Sequence, residues 1–177
     1  MTTYSRRRFI GTVISAVPTL AFPGRLAASS DTRLLRFTHT HTGERLAIEY
    51  FAANAYLPDA LATVNHFLRD FRTEEIHDID SGLLDLLHSL ASVTETSRPF
   101  QVISGYRSPA TNEMLRHHSE GVAAGSLHMV GQAIDIRLAD VPLAKLRQAA
   151  LGIRRGGVGY YPASDFVHVD TGRVRTW

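Results

Sequence analysis

The run SLHMVGQAIDIRL, Ser126 to Leu138, decides how the rest of the chain is read. Its second half alternates: Ile134, Ile136 and Leu138 share one side of an extended segment, leaving Ala133 and Asp135 on the other, because successive strand side chains point to opposite faces. An acid behind a buried aliphatic row needs a partner. His128 precedes Gly131 by three residues, and a turn there can carry its imidazole back over the Asp135 face. Downstream, Phe166-Val-His-Val-Asp170 repeats the pattern, with Val167 and Val169 on one face and Phe166, His168 and Asp170 on the other. If the two strands are neighbours, Asp135 and His168 converge. Two imidazoles and one carboxylate, His128, His168 and Asp135, form a three-ligand set for zinc with a fourth position left for water. The same residues also serve as hydrogen-bonded structural groups, and the spacing alone does not choose.

Working outward, Arg33 to Phe37 and Arg45 to Phe51 read as a hairpin closed by His41-Thr-Gly-Glu44. Leu57-Pro58 opens an amphipathic helix with Leu61, Val64, Leu68 and Phe71 spaced by three and four, and Phe67 widens the stripe. Asp80-Ser81 caps a second helix bearing Leu83, Leu84, Leu87 and Leu90, and Ser108-Pro109 starts a third. Phe100 to Ser104 suits a buried strand, and a helix runs from about Pro142 to Leu151. A hairpin followed by helices, then strands mixed with helices, predicts an α+β fold with a mainly antiparallel sheet and flanking helices. Gly156-Gly-Val-Gly159 is no nucleotide loop, because no helix begins on its glycines.

The chain has 177 residues and no cysteine, which excludes disulfides and thiolate metal sites. Of its 19 basic residues, Arg6, Arg7, Arg8 and Arg25 fall in the first 29 positions, which contain no acid. The remainder is slightly acidic, so a nucleic-acid footprint is not expected. Ser5-Arg-Arg-Arg-Phe-Ile10 leads an apolar run to about Phe22, too short for a bilayer span of about 20 residues. It resembles a twin-arginine export signal. Residues 1–29 are therefore expected to be the signal and 30–177 the working domain, acting in the periplasm without a stable membrane span.

Ser126-x-His128-x-x-Gly131-x-Ala133-x-Asp135, followed by His168, resembles the signature of the zinc D-alanyl-D-alanine peptidases and their hedgehog-like fold. His41-Thr-Gly-Glu44, Asn65-His-Phe67, Ile103-Ser-Gly-Tyr-Arg-Ser108, Gly156 to Pro162 and Phe166 to Gly172 extend the likeness to the exported murein endopeptidase K group. The resemblance implies a zinc peptidase acting on peptidoglycan peptides, with His128, Asp135 and His168 as ligands. Cross-links between diaminopimelate residues are the implied target. D,D-carboxypeptidase or D,D-endopeptidase activity and a noncatalytic, metal-stabilised wall-binding module are the alternatives. It assigns the proton-accepting carboxylate to Asp165, three positions before His168, although Asp170 has the better strand parity. Asp170 is then expected to orient an imidazole. Arg107 is implied in substrate binding and oxyanion stabilisation, and Ser126 in substrate binding or turn capping. His39, His41, His66, His88 and the His117-His118 pair carry no motif-supported ligand role.

Overall fold

Arg33–His39 (β1) and Arg45–Ala52 (β2) pair antiparallel, and Ala55–Tyr56 (β3) folds back on β2. These lie in a computed structural model that describes Met1, residues 31–118 and residues 122–177. Apart from Met1, the expected export signal lies outside the described residues. After β3 come helices Pro58–Phe67 (α1) and Ser81–Val93 (α2), strand Phe100–Ser104 (β4) and helix Pro109–His118 (α3). Ala133–Arg137 (β5), Leu143–Ile153 (α4), Gly157–Tyr161 (β6), Phe166–Asp170 (β7) and Arg175–Thr176 (β8) complete the order.

The strands form one sheet in the order β3-β2-β1-β4-β5-β7-β6-β8. Its pairings are antiparallel except β1 with β4 and β6 with β8, so the expected α+β architecture holds with a mixed sheet. The first parallel pair has a simple cause. Parallel neighbours need a long crossover, and α1 and α2 provide it.

Local chemistry sets the helix ends. Pro58 occupies the first turn of α1, where its missing N–H costs nothing. The Asp80 carboxylate accepts from Gly82 N at 2.8 Å to cap α2, and Ser108 Oγ accepts from Thr111 N at 3.2 Å to open α3. The helix through Phe71 is shorter than expected: α1 stops at Phe67. Buried Asp70 instead accepts from Arg72 N at 3.0 Å and Ser108 N at 2.8 Å, and Phe71 stacks on His41 with centroids 4.3 Å apart.

Ile134, Ile136, Val167, Val169 and Val158 turn to one core with the leucines of α2 and with Leu146 and Ala150 of α4. Shortening any such leucine to alanine costs about 2–5 kcal/mol. Because this face supplies the cohesion, the opposite face of β5 and β7 is free to carry polar groups. Among the described residues no helix is long and apolar enough to cross a membrane.

Candidate metal centre

Register determines what that second face presents. Asp135 lies opposite His168, which lies opposite Gly159 on β6. Trp177 continues this line, since its N and O bond to Val158 O at 3.3 Å and Tyr160 N at 3.1 Å. His128 comes from outside the sheet. It sits in a 3-10 turn, Leu127–Val130, ended by Gly131 at φ 66°. The expected turn is present but tightly fixed: a Cβ on Gly131 would collide with the carbonyl of Asp78, and Gly131 O accepts from Asp80 N at 3.0 Å.

The three candidate ligands meet in a buried cluster whose ligand atoms all lie within 4.8 Å of one another. His128 Nε2 is 3.2 Å from His168 Nδ1 and 3.3 Å from Asp135 Oδ1, and His168 Nδ1 is 2.8 Å from Asp135 Oδ1. Tetrahedral bonds to zinc would place donor atoms about 3.3 Å apart. The outer nitrogens define the inner ones. His128 Nδ1 donates to Gly105 O at 2.7 Å, and His168 Nε2 donates to Asp170 Oδ2 at 3.1 Å. In the neutral imidazoles the lone pairs of His128 Nε2 and His168 Nδ1 are then aimed at one point together with the Asp135 carboxylate. Three acceptors converging in a buried site repel one another unless a cation or proton lies between them, so the donor set fits a divalent metal.

The electrostatics agree. Burial raises the Asp135 pKa, but the adjacent His128 and His168 outweigh it and leave the carboxyl below its ordinary value. Burial also pulls His168 down, and hydrogen bonds to Asp135 and Asp170 overcome this to raise it to about 9. The pocket thus favours positive charge at its centre. Asp170 is fully buried; burial opposes its charge, but His168, Arg175 and the amides of Gly157 and Gly172 hold it well below the usual carboxylate range. Arg175 grips it with two bonds, at 3.1 and 2.8 Å.

Arg107 borders the same cavity, of about 530 Å³. Its Nη2 is 3.7 Å from Asp135 Oδ2, and its buried Nε has no partner among the described residues. Burial pushes its pKa below the ordinary arginine value, with Asp135 acting in the opposite sense. Its backbone N donates to His128 O at 3.2 Å, tying the Gly105–Ser108 segment to the histidine turn. Ser126 also lines the cavity, and among the described residues its side chain makes no capping bond to the 3-10 turn.

Asp165 is not brought to the cluster. It lies in a turn ahead of β7, at φ 54°, and accepts from Arg137 Nη1 at 2.8 Å. Its side chain borders a neighbouring hollow with Gln101 and Arg137, while Ser164 and Phe166 on either side line the main cavity. The left-handed backbone gives a local reason for aspartate here, since Asn and Asp tolerate that region. Sequence reasoning missed Trp177, Tyr161 and Arg175, which complete the wall beside His168. Gly156-Gly-Val-Gly159 is a strand entry rather than a loop; Val158, one side chain facing the core, was the available signal. His39 and His41 pack with Phe71, as ordinary aromatic neighbours.

A family model described as peptidoglycan L,D-endopeptidase MepK matches residues 27–177. Peptidoglycan L,D-endopeptidase MepK of Escherichia coli strain K12 is 46% identical over 161 residues, spanning 91% of this chain and 87% of that protein. The probable peptidoglycan L,D-endopeptidase MepK of Haemophilus influenzae is 42% identical over 153 residues, spanning 86% and 82% respectively.

Proposed function

The chain belongs to the family of peptidoglycan L,D-endopeptidase MepK, and from that membership we propose that it hydrolyses peptidoglycan cross-links joining two diaminopimelate residues. His128, Asp135 and His168 would hold the metal, with zinc as the ion that suits two imidazoles and a carboxylate. The observation that carries the reading is the convergence of two imidazole lone pairs and a carboxylate on one buried point. A metal held there would supply Lewis acidity, the chemistry that activates water near neutral pH and polarises a carbonyl.

The chain's own groups do the rest. Asp170 accepts the Nε2 proton of His168 and fixes that ring's orientation. Arg107, rigid and charged, stands where it can bind the substrate carbonyl and stabilise charge developing on its oxygen. Ser126, which also lines the cavity, is the other proposed substrate-binding group. Asp165 is the proposed proton acceptor once its carboxylate leaves Arg137. Its exposed ion pair is worth about 0–1 kcal/mol, a small cost beside the barrier it would lower, and such geometry commonly tightens only with substrate bound.

We assign residues 1–29 to a twin-arginine signal and place the 30–177 domain in the periplasm; Ser5-Arg-Arg-Arg-Phe-Ile10 and the apolar run after it support this. The direct test is incubation of metal-loaded protein with defined muropeptide dimers, with products followed by mass spectrometry and a chelator control. Cleavage between the two diaminopimelate residues that stops on chelation is expected. Cleavage only at D-alanyl bonds would replace this activity with a D,D-peptidase, and binding without cleavage would make the protein a wall-binding module.

A further inference from the structure

Trp177 is the chain's one tryptophan, and several independent contacts hold it in the cavity wall. It lies in the same cross-sheet line as Asp135, His168 and Gly159. Gly159, between histidine and tryptophan, has no side chain, so the indole folds over it. A Cβ there would come within 2.8 to 2.9 Å of three indole atoms. The ring centroid consequently sits 5.3 Å from that of His168. Nε1 donates to Tyr161 Oη at 2.7 Å, and the Arg175 guanidinium lies 4.8 Å from the ring centroid.

Despite these restraints, Trp177 keeps 47% of its surface exposed and lines the cavity. An aromatic fixed on three sides and bare on the side facing the cavity has already lost its rotamer freedom. Apolar material placed on it gains contact without a further ordering cost. We propose that Trp177 is a specificity-determining residue: its exposed indole packs against the aliphatic chain of the diamino acid at the scissile amide and sets that amide beside His168.

This rests on the peptidoglycan endopeptidase reading, and two measurements separate them. The first is the emission of Trp177 in metal-loaded protein titrated with an uncross-linked stem peptide ending in the diamino acid, which presents no cross-link to cut. The second is cleavage of the cross-linked dimer by Trp177→Leu, Trp177→Phe and Gly159→Ala. Saturable change in emission is expected. Trp177→Leu should raise KM about tenfold or more, keep kcat within about threefold and leave metal affinity unchanged; Trp177→Phe should retain most of the wild-type KM. Gly159→Ala should raise KM in the same way although the indole remains, with its own emission shifted because the ring is displaced. An unchanged KM in Trp177→Leu, or a fall in kcat and metal affinity at constant KM, would overturn the proposal, the latter making the indole a prop for His168. If no dimer is cleaved but the stem peptide shifts the emission, the endopeptidase reading fails and the indole contact stands. If dimers are cleaved and saturating stem peptide leaves the emission unchanged, the indole contact falls.

Discussion

Asp165 and Asp170 are five residues apart and differ in almost every respect that controls a carboxylate. Asp170 is enclosed by His168, Arg175 and two backbone amides, whereas Asp165 is exposed and held by one arginine. Of the two, only Asp165 reaches solvent. Asp165→Asn is therefore expected to keep its metal and lose at least about a hundredfold in kcat, the usual range for a general base. Near-normal turnover in that variant would remove Asp165 from proton transfer. Asp170→Asn should instead weaken metal binding by about 10- to 100-fold, read by equilibrium dialysis. His39 makes a different prediction. It is almost wholly buried, its Nδ1 accepts from His41 N and Thr42 N, and burial, reinforced by His41, lowers its pKa to about 4. The unfolded chain binds a proton near pH 6.5 and the folded chain only near 4. The stabilisation from neutral His39 is thus present above about 6.5 and is lost as pH falls through 4, by on the order of 3 kcal/mol at most. Denaturation midpoints measured from pH 7.5 to 4 should fall less steeply for His39→Gln than for the wild type.

Elements legible in the sequence are those with a strong period or a cap. β5 and β7 alternate cleanly, so the sequence puts Asp135 and His168 each opposite an aliphatic row, and they converge if the strands are neighbours; the pairing of β5 with β7 meets that condition and its register sets them opposite each other. α2 was visible from Asp80 and its leucines. β6 was not, because glycines at 157 and 159 remove the alternation on the face they leave bare for Arg175 and Trp177. α1 was overextended because Phe71 continues its apolar spacing while actually belonging to the aromatic contact with His41. The side chain of Asp165 could not be aimed from sequence, since its partner Arg137 comes from a strand 28 residues earlier. The histidine turn gives this scale its prediction. Alanine at position 131 would require a left-handed backbone and would meet the Asp78 carbonyl. Gly131→Ala should cost at least about 1–3 kcal/mol and reduce metal affinity by displacing His128. Chemical denaturation and dialysis read the two effects, and unchanged values for both would show that the turn does not position the histidine.

For the whole molecule, the three candidate ligands come from the 3-10 turn, β5 and β7, so one ion would join three segments. A ligand that binds only the folded state adds about 4 kcal/mol at a thousand times its Kd, which corresponds to roughly 8–16 °C in Tm for a domain of this size. Chelation should lower Tm by that order and zinc should restore it, as followed by calorimetry. A Tm insensitive to chelation and zinc would mean that the folded cluster does not take up the ion.

Both margins of the eight-stranded sheet are two-residue strands, β3 and β8. β3 covers only Phe51 and Ala52 of β2, and β8 only Gly157 and Val158 of β6. The cavity beyond β8 is lined by side chains, Arg107, Tyr161 and Trp177 among them. A ligand entering there meets a cation and aromatic planes, because β8 itself ends after two residues.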